Sequence, residues 1–137
     1  MKGQVTIGVV DDDDIYQFTI KRTMELLNLA KKVHVFSDGE EALDFILENV
    51  KNVQILPDII LLDINMPIMD GFQFMEEYVK IKNKSDKKIK IYMVSSSVDP
   101  VDMEKAKKIK DICDYIIKPI WPDQLTEIVS SMEKIES

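Results

Sequence analysis

The sequence predicts an α/β fold: a five-stranded parallel sheet, doubly wound, with helices on both faces. Three observations carry that expectation. Ile59–Leu62 is an unbroken apolar run of strand length, the pattern of a strand buried on both sides of a parallel sheet. Strand-like and helix-like patterns alternate five times along the chain. Four of the apolar runs end abruptly in polar residues, as strands do where an open α/β sheet forms its ligand crevice.

Val5–Val10 reads as the first strand and stops at Asp11-Asp12-Asp13-Asp14. Asp13 or Asp14 can cap the first helix, whose core face is read at Ile20, Met24 and Leu27. Lys32–Phe36 is a short second strand nearer the sheet edge. Ser37 is expected to cap the second helix, with Glu40 completing a capping box and Leu43, Ile46, Leu47 and Val50 as the buried stripe. Residues 51–56 lead into Ile59–Leu62, the central strand. Gly71 opens the third helix, with Phe74 or Met75 and Tyr78 inward. A lysine-rich loop over 82–88, read as solvated, precedes the fourth strand, Ile91–Val94, which ends in Ser95, Ser96 and Ser97. Asp99-Pro100 starts the fourth helix, because proline suits the first helical position. Tyr115–Ile117 is the fifth strand and ends in Lys118-Pro119. Pro122 opens the last helix, striped by Leu125, Ile128, Val129 and Met132. Trp121 stands where a capping side chain is expected, and two readings stay open: packing against that helix start, or an exposed anchor for a partner.

Composition bounds the function. The chain has 137 residues, one domain's worth, and a net charge of -7, which argues against the whole domain holding nucleic acid through its phosphates. No apolar run is long enough for a membrane span or a secretory leader, so no membrane partner is expected. The single cysteine, Cys113, excludes a disulfide framework and points to a reducing, cytoplasmic setting. His34, the only histidine, lacks acidic or thiol neighbours at ligand spacing and reads as structural or exposed.

A carboxylate at the end of a buried strand is costly unless it opens into a crevice. Asp63 is followed by Pro67 and Asp70-Gly71, so a loop and not more strand succeeds it. Alone, such an Asp reads as readily as a cap or turn former. Together, however, the strand ends deliver acid, acid, hydroxyl and lysine to one edge. VVDD at 9–12, D-x-N-M-P-x-M-D-G at 63–71, VSS at 94–96 and YIIKP at 115–119 occur in order. At these residues the chain resembles the receiver domain of two-component response regulators, over essentially its full length, from Val5 to about Glu133.

That resemblance implies a flavodoxin-like (βα)5 fold with strand order 2-1-3-4-5. It makes residues 1–137 a single receiver domain, with no output domain expected among them. It assigns Asp63 as phosphoacceptor for a histidine kinase or a histidine phosphotransfer protein. It gives Mg2+ as cofactor, held directly by Asp12, Asp63 and the backbone carbonyl of Asn65, with Asp11 acting mainly through water. The run of four aspartates leaves the choice of pair uncertain by one position; Asp11 and Asp12 follow from counting from the end of the Val9-Val10 strand. Crowded carboxylates of this kind need a cation, and hard oxygen donors suit Mg2+. Lys118 and Ser95 would contact the phosphoryl oxygens, while Asn65 and Ser97 occupy the positions that tune hydrolysis. Such a domain is a signalling module that catalyses only its own phosphorylation and dephosphorylation. Ser95 and Tyr115 would form the switch, read by a partner on the face of helix four, strand five and helix five. A cis Lys118–Pro119 bond is also implied.

Two rival readings exist. Asp11-x-Asp13 or Asp12-x-Asp14 fits the nucleophile pattern of haloacid dehalogenase phosphatases, but the second late acidic pair is missing and 63–71 is left unexplained. A receiver fold used only for docking is the other, although every required side chain is present. An EF-hand reading of 11–14 fails for want of the Gly and Glu at the required offsets.

Overall fold

The computed structural model describes residues 5–136, and of these the side chains through Met132. Five strands, β1 (Val5–Val10), β2 (Ala30–Phe36), β3 (Ile59–Leu62), β4 (Lys90–Ser95) and β5 (Ile112–Ile117), form one parallel sheet in the order β2-β1-β3-β4-β5. The helices are α1 (Asp14–Leu26), α2 (Gly39–Glu48), α3 (Gly71–Ile81), α4 (Pro100–Lys107) and α5 (Pro122–Glu136). The expected fold class and strand order are both present.

Side chains alternate across each strand, so the sheet separates two cores. Val5, Ile7, Val9, Ile59, Leu61 and Val94 pack with α1 and α5 residues Ile20, Met24, Leu125, Ile128, Val129 and Met132. Val10, Ile60, Leu62, Ile91 and Met93 pack with α2 and α3 residues Ala42, Ile46, Phe74, Met75 and Tyr78 on the other side. β1 and β3 are buried throughout, which accounts for their continuous apolar sequence.

Local expectations needed four corrections. Leu27 is not a core residue: α1 ends at Leu26, and the capping residue that follows is 42% exposed. The side-chain cap of α2 is Asp38, which accepts from the Glu41 N–H at 2.9 Å, while Glu41 reaches back to the Ser37 N–H at 3.0 Å. The expected pairing of Ser37 with Glu40 is therefore displaced by one residue. In the α2 stripe, Ile46 is buried with Ala42, whereas Leu47 is exposed. Finally, the lysine loop is not wholly solvated. Lys87 forms an ion pair with Asp58 at 2.7 Å and donates to the carbonyls of Val53 and Leu56, both at 3.0 Å. Asp58 also accepts from the Thr6 N–H at 2.7 Å. Lys82 pairs with Asp111 at 2.9 Å, in a more open setting.

The Lys87–Asp58 pair stitches the loop before β3 to the loop before β4, at the edge of the sheet opposite the acidic residues. Removing one partner of a largely buried pair leaves an uncompensated charge and an unpaired amide. Asp58→Ala is expected to lower stability by about 2–4 kcal/mol in urea unfolding. Lys82→Met should cost less than about 1 kcal/mol.

Candidate functional site

β1 and β3 are neighbours in register, with Val10 beside Leu62, so their ends deliver Asp11 and Asp63 side by side. The Asp63 N–H donates to the Val10 carbonyl at 2.9 Å, extending the ladder by one step. Asp11 is 2% exposed, and its own N–H donates to the Phe36 carbonyl at 2.9 Å. The carboxylates of Asp11, Asp12 and Asp63 each place an oxygen within 4.8 Å of the others. Of the four aspartates in the run, Asp11 and Asp12 share this cluster with Asp63. Asp13 is the α1 cap, accepting from the Ile15 and Tyr16 N–H groups at 2.9 and 3.2 Å, and Asp14 begins the helix.

The cation comes from β5. Lys118 Nζ lies 2.6 Å from Asp11 Oδ2 and 3.8 Å from Asp63 Oδ1. Its backbone N–H donates to the Ser95 carbonyl at 2.9 Å, and the following peptide bond to Pro119 is cis, as the resemblance implied. Ser95, the last residue of β4, is fully buried, and its Oγ accepts from the Ser97 N–H at 3.1 Å. Asn65 is exposed in the loop after Asp63.

That loop is tightly shaped. The Gly71 N–H donates to the Ile64 carbonyl at 2.8 Å, and a Cβ at position 71 would collide with the Asp63 carbonyl oxygen. Glycine at 71 thus lets the start of α3 close against the backbone of Asp63. Asp70 and Gln73 form a reciprocal capping box there at 2.8 and 2.9 Å. The Met69 N–H donates to the Pro67 carbonyl at 2.6 Å around Ile68, a β-branched residue at φ 65, a left-handed conformation that is unfavourable for its side chain.

The electrostatics follow from this packing. Burial, reinforced by the Asp11 carboxylate, pushes the Asp63 carboxyl up to about 6 against the opposing pull of Lys118. Asp12, which is exposed, adds least. Three hard oxygen donors crowded within 4.8 Å of one another are a fitting set for a small divalent cation. His34 has no part in the site: it is half-buried beside the Phe45 ring, at 4.7 Å between centroids.

Sequence reasoning missed one contributor. Tyr16 of α1 lies with its ring centroid 4.2 Å from Lys118 Nζ, and its hydroxyl is shielded from solvent without a hydrogen-bond partner. Burial, then Asp11 and Asp63, keep this phenol protonated. Its spacing four residues before Ile20 places it on the inner face of α1. Its contact with Lys118 joins residues far apart in sequence, and no local pattern announces it. Trp121 is 61% exposed, so the packing reading fails; its backbone N–H instead donates to Gln124 Oε1 at 2.7 Å.

Comparisons with known proteins agree with this geometry. The family model of the response regulator receiver domain matches residues 7–130. A hybrid signal transduction histidine kinase of Dictyostelium discoideum is 33% identical over 123 residues, which cover 90% of this chain and 7% of that kinase. A two-component response regulator from Cytophaga hutchinsonii superposes with a TM-score of 0.80 at 25% identity, covering 97% of this chain and 99% of the other. A response regulator receiver protein from Dyadobacter fermentans gives 0.79 at 28% identity, covering 93% and 97%. With the acid pair, the strand-edge aspartate, the hydroxyl and the lysine assembled at one edge of this sheet, the chain belongs to the response regulator receiver domain family of two-component phosphorelay signalling.

Proposed function

We propose that Asp63 accepts a phosphoryl group from a phosphohistidine on a sensor kinase or a histidine phosphotransfer protein, in a Mg2+-dependent reaction that changes partner binding. The observation that carries this reading is the convergence of Asp11, Asp12, Asp63 and Lys118 at one strand edge. A carboxylate oxygen of Asp63 attacks phosphorus, the bond to the donor imidazole breaks, and an acyl phosphate forms. Such a transfer asks for alignment and charge neutralisation more than for covalent help. Asp63 is aligned by its ladder bond to Val10 and by the close approach of Gly71. Lys118 brings positive charge to the phosphoryl oxygens, and Ser95 brings a hydroxyl. Asp11, Asp12, Asp63 and the Asn65 carbonyl would hold Mg2+, which, when bound, neutralises charge on the transferring group. Water later hydrolyses the acyl phosphate, so the domain acts only on itself. A cytoplasmic setting suits this role and the exposed free thiol of Cys113.

The readout runs toward α4 and β5. Ser95 Oγ holds the Ser97 N–H, Ser97 Oγ donates to Asp102 of α4 at 2.8 Å, and the Tyr115 hydroxyl donates to the Ser97 carbonyl at 2.8 Å. A Ser95 hydroxyl drawn toward a phosphoryl oxygen releases the first of these bonds and loosens the others, shifting a pre-existing equilibrium. The docking face is then α4-β5-α5. Lys105, Lys107, Lys108 and Lys110 lie on or just after α4, so a downstream protein using this face carries an acidic surface.

Intact mass after incubation with acetyl phosphate and Mg2+ tests the acceptor. Wild type should gain one phosphoryl group, labile to hydroxylamine, and Asp63→Asn should gain none. A comparable acid-stable phosphate on Asp63→Asn would move the acceptor elsewhere, Ser95 first. The switch is tested with beryllofluoride, a phosphoryl mimic. It should shift amide resonances across 95–120 in wild type, and those shifts should largely vanish in Ser95→Ala although Asp63 still binds the mimic. Full wild-type shifts in Ser95→Ala would exclude Ser95 as the link.

A further inference from the structure

We infer that Tyr16 is a positioning residue for phosphoryl acceptance: its ring face seats the Lys118 ammonium beside Asp63, and the ring, not the hydroxyl, carries the role. The inference deepens, and rests on, the reading of Asp63 as phosphoacceptor.

Lys118 ends a flexible four-carbon stem, and nothing intrinsic to it fixes where the ammonium waits. Three groups do so here. Asp11 lies at 2.6 Å, Asp63 at 3.8 Å and the Tyr16 ring centroid at 4.2 Å. The lysine side chain is only 20% exposed, so the attraction of the ring face is little diluted by water. The three supports differ in constancy. A divalent cation drawn to the acidic cluster divides the pull of Asp11 between itself and Lys118. A phosphoryl group on Asp63 replaces that carboxylate's charge with new oxygens farther out. The Tyr16 ring neither ionises nor ligates, so its hold is the same before and after each event. It therefore limits the search of the ammonium as its charged partners change, which is a contribution to orientation.

The hydroxyl has a different standing. Tyr16 Oη is shielded without a partner, an arrangement that costs stability. Phenylalanine at this position keeps the ring and removes the orphan donor.

The test compares wild type, Tyr16→Phe, Tyr16→Leu and Tyr16→Met as full chains, phosphorylated by acetyl phosphate at saturating Mg2+. Tyr16→Leu is expected to lose about tenfold in maximal rate, with the KM for acetyl phosphate and the affinity for Mg2+ each within about twofold of wild type. Tyr16→Met fills similar volume without a ring and should lose as much, so it carries the test should the leucine variant fail to fold. Tyr16→Phe should restore the wild-type rate and raise the unfolding midpoint. A Tyr16→Leu chain as fast as wild type, or a Tyr16→Phe chain as slow as Tyr16→Leu, overturns the inference while leaving the acceptor reading intact. A loss confined to Mg2+ affinity also overturns it. A wild-type chain that takes no phosphoryl group overturns both.

Discussion

Three carboxylates with oxygens within 4.8 Å of one another, two of them on buried residues, repel each other in a setting that solvates charge poorly. The strands bring this about: β1 and β3 lie at the centre of the sheet, and both end in aspartate at the same level. Lys118, 107 residues from Asp11 in sequence, supplies the compensating charge that the described residues offer at this edge. Much of the surrounding structure serves to hold that arrangement. Gly71 permits close approach at Asp63, Gln17 donates to the Asp11 carbonyl at 2.6 Å, and Tyr16 walls the ammonium. One lysine against three acids leaves the site short of positive charge, and Asp63 resists ionisation through burial first and the Asp11 carboxylate second.

Under the proposed function, that shortage is what would make the site responsive. A carboxylate whose charge is opposed by burial and by neighbouring acids gains when a cation joins it, so under the proposed function metal binding and phosphoryl acceptance would be coupled through ordinary electrostatics. The Ser95 hydroxyl sits fully buried at the end of the strand beside β3 and holds the Ser97 N–H, which is the place a link between this charge and α4 would need under the proposed function. The lower edge of the sheet shows the contrasting case. Asp58 and Lys87 are matched one to one and further satisfied by backbone groups, so that pair is a fixed stitch and not a switch.

The site was more legible in the sequence than the details of the helices. Strand ends are announced by a change from apolar to polar residues, and a parallel sheet brings all such ends to one edge; Asp11, Asp63, Ser95 and Lys118 could be assembled from that rule and a family pattern. Helix ends are announced by short polar residues. Ser37-Asp38 offers two capping side chains in succession, and only the extended backbone at Asp38 selects between them. Leu27 kept the helical period but fell one residue past the end of α1. Lys87 and Tyr16 escaped for a shared reason: each matters through a partner distant in sequence, and neither a lysine in a lysine-rich loop nor an aromatic on a helix face carries a local sign of such a partner.

Asp63 is held where burial and the neighbouring Asp11 carboxylate oppose its charge. A carboxyl raised above its ordinary value stabilises the fold below that ordinary value and forfeits the contribution as pH rises through about 6. The direct test is the unfolding midpoint of wild type and Asp63→Asn between pH 3 and 8, with chelator and with Mg2+. In chelator at pH 8, Asp63→Asn should be the more stable by on the order of 2 kcal/mol. The gap should shrink as pH falls through about 6 and close below the usual aspartate value. Mg2+ at pH 8 should stabilise wild type and leave Asp63→Asn far less changed. A wild-type chain more stable than Asp63→Asn at pH 8 in chelator would contradict the claim.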